Sequence, residues 1–366
     1  MARVFLISPI IENLTLFRRE LILALAEQGY EITLISSYQN EYEEFRKVGV
    51  KFINVDIDRR GTNIFAELKL CKTYYQILKK ERPDVVLTYT SKCSVYGGAV
   101  CRLLRIPYII NNSGLFDPKR IGRLFGAFLN VLHRIGYSKT ACMMYQNPSE
   151  MAFFQDILPK KVPYRLLPGS GVNLERFQIL PYPQDNVVNF LMICRIQKEK
   201  GIEEYLFAAA QLKPKYPQSN FWLLGGFDED YHSQVDELVE KGIISYFEPV
   251  KDVRPYLEKA HCIVTPSYHE GMSNVLLEAS ASSRPAIASD CTGCNNIIQD
   301  GVSGLLAKVA DKEDVTAKIE AFIKLPYDKK VNMGKNGRKI VEERFNRQIV
   351  VKAYIEEIDK VCQRNS

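Results

Sequence analysis

The segment CIVTPSYHEGMSNVLLEA at residues 262–279 passes from a short apolar run through a loop into a helical pattern. Ser273 and Asn274, at the end of the loop, are residue types that cap helices. A helix start of this kind binds anions, because its first N–H groups lack helical partners and its dipole is positive there. We therefore expect an anion-binding turn at the carboxyl end of a buried strand.

Apolar strands alternate with helical stretches on both sides of this segment. Strands are expected at 4–8, 32–36, 85–89, 108–111, 189–193, 220–224, 262–266 and 286–289, and helices at 16–28, 65–80, 99–104, 202–213, 274–281 and 349–362. This alternation predicts two doubly wound parallel α/β sheets. The Pro- and Gly-rich stretch 169–186 is expected to be a linker between domains at 1–168 and 187–345.

Composition and charge narrow the classes of function. Hydrophobic residues make up 46% and charged residues 25% of the 366 residues, which excludes disordered and fibrous chains. Residues 1–168 hold 24 Lys and Arg against 15 Asp and Glu, so an anionic partner is expected. The interleaved basic and aromatic pattern of nucleic-acid binders is missing, and no nucleic acid is expected. With scattered cysteines and no signal-peptide pattern at the start, we expect a cytoplasmic protein.

Two glutamates and two cations are the candidates for chemistry. Glu278 lies about one turn into the predicted helix, where its carboxylate can accept two ribose hydroxyls, and Glu270 on the preceding loop can reach another part of the ligand. Arg195 and Lys200 follow the strand at 189–193. This places a guanidinium that can donate two parallel hydrogen bonds, and a compact ammonium charge, where a diphosphate would bind.

The stretch 120–137 has the pattern of a basic amphipathic helix. Its apolar residues at helical spacing are Ile121, Leu124, Phe125, Phe128, Leu129 and Leu132. The helix lies either in a membrane interface or against the core of the first domain. The D-x-D sequences Asp56-Ile57-Asp58 and Asp228-Glu229-Asp230 are short acidic loops, and Cys291 and Cys294 lack the partner pair that zinc requires, so no metal is expected.

The combination Glu270-Gly271-x6-Glu278 with Arg195-x4-Lys200-Gly201 resembles the family-4 retaining glycosyltransferases of the GT-B fold. Further segments resemble the branch that builds capsule, O-antigen and lipid-linked glycans: Thr88-Tyr89-Thr90-x-Lys92, Ser113-Gly114-Leu115, Tyr145-Gln146-Asn147, Pro168-Gly169-Ser170-Gly171-Val172-Asn173 and Asp290-Cys291-x-Gly293-Cys294. The resemblance implies two Rossmann-like domains facing across a cleft, and a C-terminal helix at 346–366 that crosses back to the first domain.

Roles for individual residues follow from the resemblance. Glu278 would hold the ribose, and Glu270 would contact the donor sugar. Arg195 and Lys200 would neutralise the diphosphate and stabilise its departure. The remaining nucleotide-sugar contacts would come from the turn itself, at Gly271, Met272, Ser273 and Asn274. The acceptor's phosphates would meet Lys92, Arg59, Arg60 and Arg18. The usual Gly-Gly of the first loop is absent from residues 8–13, and Ser91 stands where some relatives carry a His, so no catalytic base is assigned.

The expected function is retaining transfer of a hexose or N-acetylhexosamine from a UDP-sugar to a polyprenyl-diphosphate-linked glycan in bacterial surface polysaccharide synthesis. The UDP-sugar is the donor substrate, no further cofactor is implied, and peripheral association with the inner face of an anionic membrane is expected. Transfer to a soluble acceptor and UDP-sugar epimerisation on the same fold stay open as alternatives. A sugar-nucleotide-binding subunit without activity is a third.

Overall fold

A computed structural model describes residues 1–38, 42–58, 63–112, 123–159, 161–184 and 187–363. The chain divides into two compact units. The first comprises residues 1–170 together with 348–366, and the second comprises residues 171–347.

The first unit is built on a parallel sheet whose strand order, within the described residues, is β3-β2-β1-β4-β5-β6-β7. Its strands are β1 (Arg3–Ile10), β2 (Glu31–Ser37), β3 (Lys51–Asn54), β4 (Val85–Tyr89), β5 (Tyr108–Asn111), β6 (Cys142–Tyr145) and β7 (Tyr164–Leu166). Its helices are α1 (Ile11–Phe17), α2 (Arg19–Glu27), α3 (Glu43–Lys47), α4 (Ile64–Glu81), α5 (Ser91–Leu104), α6 (Arg123–Tyr137) and α7 (Pro148–Ile157).

The second unit repeats the plan with the strand order β10-β9-β8-β11-β12-β13, again parallel throughout the described residues. Its strands are β8 (Val188–Ile193), β9 (Ser219–Leu224), β10 (Ile244–Phe247), β11 (Cys262–Thr265), β12 (Ala286–Ser289) and β13 (Gly304–Ala307). Its helices are α8 (Ile202–Lys215), α9 (His232–Glu240), α10 (Arg254–Lys259), α11 (Asn274–Ala281), α12 (Lys312–Ile323) and α13 (Tyr327–Arg344), and α14 (Arg347–Gln363) follows. The predicted fold class, two doubly wound α/β units, is confirmed.

The direction of sheet growth reverses at the middle of each sheet. In the second unit the chain moves outward from β8 to β9 and β10, then returns to β11 on the other side of β8. The loops after β8 and β11 therefore leave the same edge of the sheet in opposite directions. A crevice opens between such loops, and in sheets of this kind it is where ligands bind.

Helices α5 and α6 pack unusually closely, because glycines meet at their contact. A Cβ on Gly98 would overlap the carbonyl oxygen of Gly136, and a Cβ on Gly136 would lie 2.7 Å from the Cα of Val95. Helix α5 runs through Gly97 and Gly98 and begins at Ser91, eight residues before the predicted start at 99.

The stretch 120–137, predicted as an amphipathic helix, forms α6 from Arg123 to Tyr137. Leu132 packs against the core of the first unit, whereas Phe128 is exposed to solvent. Leu129 is half-buried. Ile121 lies outside the described residues. The helix thus has a core-facing side and a separate exposed side.

The end of the chain is fastened to the first unit through Arg18. This guanidinium is 3% exposed, lies over the rings of Tyr89 and Tyr354, and donates to Asn111 Oδ1 at 3.3 Å. The hydroxyl of Tyr354, on α14, donates to the same Asn111 oxygen. The expectation that Arg18 binds acceptor phosphates is therefore wrong, since the side chain is buried under the C-terminal helix.

The segment predicted as a linker at 169–186 is, from Gly171 to Gln184, part of the second unit. The buried Arg284 guanidinium holds it by donating to the carbonyl oxygens of Leu180, at 3.1 Å, and Pro181, at 2.7 Å. The ring of Tyr182 lies under the same guanidinium. Proline and glycine content predicted an irregular conformation here, but these non-local hydrogen bonds have no local sequence pattern.

Two glycines of α6 make a matched test of the α5–α6 contact. Gly136→Ala is expected to lower the melting temperature, because overpacking costs about 1–3 kcal/mol. Gly126→Ala is expected to leave it unchanged or raise it, because no atom of the described residues lies within 4 Å of the added methyl and alanine favours the helix. Thermal unfolding followed by circular dichroism measures both, and equal shifts would contradict the packing described.

Candidate active site

A cavity of about 200 Å³ lies at the carboxyl ends of β8 and β11. The loop after β8 contributes Arg195 and Lys200, and the loop after β11 contributes Glu270. Met272, Ser273 and Asn274 complete the wall at the start of α11. The structure thus brings together six of the residues predicted from the sequence, at the edge where the sheet order reverses.

The loop after β8 reaches the end of β11 because of Gly201. Its φ is +76°, and a Cβ there would overlap the carbonyl oxygen of Pro266. A side chain at 201 would push the two loops apart and carry Lys200 away from the cavity. The glycine of the Lys200-Gly201 pair is explained by this contact.

Lys200 and Glu270 form an ion pair inside the cavity. Lys200 Nζ lies 2.7 Å from Glu270 Oε1, and the Ser267 hydroxyl donates to the same carboxylate oxygen at 2.9 Å. Both charged side chains are mostly buried, with 21% and 16% exposed. The pair orients the two groups, and an anion that entered would compete with Glu270 for the ammonium group.

Arg195 has a carboxylate partner as well. Its guanidinium pairs with Asp228, which follows β9, and the neighbouring Glu229 accepts a hydrogen bond from the Lys198 backbone N–H at 2.8 Å. The acidic loop considered as a D-x-D sequence therefore holds the basic loop in place. Among the described residues, no three His, Cys, Asp or Glu side chains are arranged to hold a metal ion.

The start of α11 supplies backbone donors. Ser273 is the N-cap, and its hydroxyl accepts from the Leu276 N–H at 3.4 Å. The N–H groups of Asn274 and Val275, in the first turn, have no partner within the helix and lie at the positive end of its dipole.

One predicted donor is not available. The Ser273 N–H donates to the Gly293 carbonyl oxygen at 3.1 Å, so it cannot also bind a ligand anion. Gly293 has φ +87°, and a Cβ on it would lie 2.8 Å from the carbonyl oxygen of Gly271. The backbone at Gly293 therefore packs against the loop that precedes α11, and its carbonyl oxygen occupies the Ser273 N–H group.

Glu278 lies one turn along α11 from Asn274, outside the cavity lining. Burial raises the pKa of its carboxyl group to about 7, and Arg347 and Arg176 oppose the shift while Asp252 adds to it. A carboxylate that is costly to ionise in the folded protein is a common mark of a functional position.

Sequence reasoning missed a support beneath the loop. The Tyr268 hydroxyl donates to Glu204 Oε1 at 2.7 Å, and Glu204, on α8, is 5% exposed. The available signal was its spacing of four residues from buried Ala208, which places both on the core side of α8. The hydrogen bond ties the glutamate loop to the helix that follows Gly201.

Of the predicted acceptor residues, the structure describes Lys92 and Arg18, both in the first unit. Lys92 Nζ pairs with Glu67 at 2.6 Å and donates to the Asp58 carbonyl oxygen at 2.6 Å. Arg59 and Arg60 lie outside the described residues. Before Lys92, Thr90 has φ +70° and ψ 155°, a strained conformation for a threonine.

Ser91 Oγ lies 3.1 Å from His133 Nε2. Burial lowers the pKa of His133 to about 4, so the ring is neutral at physiological pH. The pair joins the start of α5 to α6.

Comparison with known proteins places the chain among sugar transferases. Residues 7–147 match the family described as Glycosyl transferase 4-like, and residues 188–324 match Glycosyl transferases group 1. The chain is 26% identical over 366 residues to N,N'-diacetylbacillosaminyl-diphospho-undecaprenol alpha-1,3-N-acetylgalactosaminyltransferase of Campylobacter jejuni, covering 95% of this chain and 96% of that one. It is 24% identical over 344 residues to UDP-Gal:alpha-D-GlcNAc-diphosphoundecaprenol alpha-1,3-galactosyltransferase of Escherichia coli, covering 88% and 87%.

Among solved structures, Anabaena HepE in complex with UDP and glucose superposes with a TM-score of 0.79 at 14% identity, covering 98% of this chain and 100% of that one. This likeness supports the fold. The family matches in both halves, the transferases similar along most of their length and the two parallel-sheet units together show that the chain belongs to the glycosyltransferases of the GT-B fold and is a hexosyltransferase.

Proposed function

We propose that the protein transfers a hexose or N-acetylhexosamine, with retention of configuration, from a UDP-sugar to a polyprenyl-diphosphate-linked glycan in bacterial surface polysaccharide synthesis. The observation that carries the proposal is the cavity where Arg195, Lys200 and the start of α11 converge. The names of the Campylobacter jejuni and Escherichia coli relatives support the lipid-linked acceptor, and the second also names UDP-Gal.

In this proposal the diphosphate lies between Arg195 and Lys200 and accepts hydrogen bonds from backbone N–H groups of the turn. Gly271, Met272 and Asn274 stay in this role, and Ser273 leaves it because its N–H is used by Gly293. Glu278 accepts the ribose hydroxyls and Glu270 contacts the donor sugar.

The transfer we propose proceeds on one face of the sugar. The bond between the anomeric carbon and the diphosphate oxygen breaks, and the acceptor oxygen bonds to that carbon from the same side. The departing diphosphate oxygen takes the proton of the acceptor hydroxyl. Arg195 and Lys200 stabilise the negative charge that develops on the diphosphate, which is where such cations lower the barrier.

In this proposal the acceptor binds to the first unit, and its lipid chain stays in the membrane. Its diphosphate would meet Lys92 once that ammonium separates from Glu67, with Arg59 and Arg60 as further candidates. The excess of basic residues in 1–168 supports peripheral association with the inner face of an anionic membrane. Within the described residues, no helix combines the length and apolar character that crossing a bilayer requires.

Removal of the proposed donor contacts tests the site. Arg195→Ala is expected to reduce transfer by about 10²–10³-fold, because a donor aimed at developing charge is lost. Glu278→Ala is expected to abolish measurable transfer through loss of the ribose contact. Arg195→Ala should unfold near the wild-type temperature, and circular dichroism should show that Glu278→Ala is folded at the assay temperature. Lys215→Ala, which breaks the ion pair between Lys215 of α8 and Glu320 of α12, is the matched control and should retain full activity. Full activity in Arg195→Ala and Glu278→Ala would refute the assignment.

The raised pKa of Glu278 predicts a stability cost for this carboxylate. Its pKa is about 7 in the folded protein against a usual 4.5, so stability is lost as pH rises between those values. Glu278→Gln should therefore raise the melting temperature over wild type by more at pH 8 than at pH 5, while UDP binding weakens. Glu313→Gln, an exposed glutamate on α12, is the control. A difference between Glu278→Gln and wild type that does not change with pH would contradict the burial of this group.

A donor panel separates the remaining functions. Purified protein is incubated with UDP- and GDP-sugars, with and without a short polyprenyl-diphosphate-sugar, and nucleotide release is measured. We expect UDP release from one UDP-sugar, and this release should depend on the acceptor. NMR of the product should show the same anomeric configuration as in the donor. An isomerised UDP-sugar in the absence of acceptor would establish the epimerase. Release with only a soluble glycan would establish the soluble-acceptor alternative, and no reaction under any condition would favour a binding subunit.

A further inference from the structure

The outward side of the α5–α6 pair carries exposed apolar side chains. On α6, Phe128, Val131 and Ile135 are 55%, 51% and 44% exposed, and on α5 Leu103 is 71% exposed. Spacings of three and four residues place the α6 side chains in one stripe. Arg102, next to Leu103, donates to the Ile135 carbonyl oxygen at 3.4 Å, so the end of α5 adjoins that stripe. We call Leu103, Phe128, Val131 and Ile135 the α5–α6 face.

The charged residues on helices α5 and α6 themselves are all basic. Arg102, Arg105, Arg134 and Lys139, on or just after the two helices, are all exposed. From residue 91 to residue 149 the sequence contains eight lysines and arginines and a single acidic residue, Asp117. An apolar stripe bordered by basic side chains is the composition of helices that lie on anionic lipid.

The face is already formed in the folded protein. The glycine contact between Gly98 and Gly136 fixes α6 against α5. On the opposite side of α6, His133 packs against Tyr137 and Phe154, with ring centroids 5.0 and 5.2 Å apart. Docking would therefore require little ordering of the backbone, which favours binding.

We propose that the α5–α6 face docks on an anionic phospholipid surface, with the apolar stripe at the boundary of headgroups and acyl chains and the basic side chains at lipid phosphates. This deepens the proposed function by naming the surface that contacts the membrane. It rests on the proposed function in one respect, since the lipid-linked acceptor is the reason that the protein needs a membrane. A bilayer fits better than a protein partner, because four apolar side chains are few for a stable protein interface. The long arginine and lysine side chains beside them can also reach the phosphates of lipid headgroups.

Vesicle flotation with the full-length protein tests the proposal without donor or acceptor. The vesicles are phosphatidylcholine alone, or phosphatidylcholine with about one third phosphatidylglycerol. We expect binding to the anionic vesicles that weakens as salt is raised from 50 to 500 mM, and little binding to phosphatidylcholine. If the protein does not bind anionic vesicles, the proposal is overturned, and a protein partner at the α5–α6 face is favoured instead.

Two sets of variants locate the contact. Phe128→Asp with Val131→Asp should weaken vesicle binding by about tenfold or more, because two apolar groups leave the lipid and two negative charges approach it. Arg105→Gln with Lys139→Gln should weaken binding mainly at low salt. The matched control is Val239→Asp on α9 of the second unit, a similarly exposed valine, which should bind as wild type does.

Each variant is checked by thermal unfolding and by UDP binding, which should both match wild type. Wild-type vesicle binding by the two α5–α6 variant sets would overturn the proposal. Because vesicle binding is measured without substrates, a protein that floats with anionic vesicles but transfers no sugar would refute the proposed function alone.

Discussion

The active-site end of the second unit depends on one close backbone contact, that of Gly201 with the carbonyl oxygen of Pro266. The two residues follow strands β8 and β11, which are neighbours in space although about seventy residues separate them in the chain. The contact brings a loop with two cations against a loop with a glutamate and a helix start. Ser267, Glu270 and Lys200 can then form one hydrogen-bonded group, and the cavity between the loops has a fixed shape.

The charges in this cavity are balanced before any ligand is present. Arg195 is paired with Asp228 and Lys200 with Glu270. The partly exposed Arg195–Asp228 pair contributes about 0–1 kcal/mol, so its exchange for a doubly charged ligand would cost little. What the pairs supply is orientation, since each long side chain is already held near the helix start. Tyr268, fixed on the buried Glu204, gives the glutamate loop the same kind of support.

The sequence predicted best those features that depend on neighbouring residues. Helix α11 begins and ends as predicted, because Ser273 caps it and its apolar spacing is regular. The misses come from contacts between distant residues. The Ser273 N–H is taken by Gly293, Arg18 is buried beneath Tyr354 of the last helix, and Arg195 meets an acidic loop after another strand. The strands at the sheet edges, such as β3 and β10, were also missed, because they are short and only partly apolar.

The buried Arg284 bears on how this chain can be divided. Its guanidinium donates to the carbonyl oxygens of Leu180, Pro181, Leu257, Glu258 and Ser282, and no carboxylate is among these partners. Removal of residues 171–184 would leave a buried cation with two of its acceptors gone, which is costly in a protein interior. A chimaera that exchanges nucleotide-binding halves between related transferases should therefore be joined near residue 170, so that Arg284 and the chain it holds are inherited together.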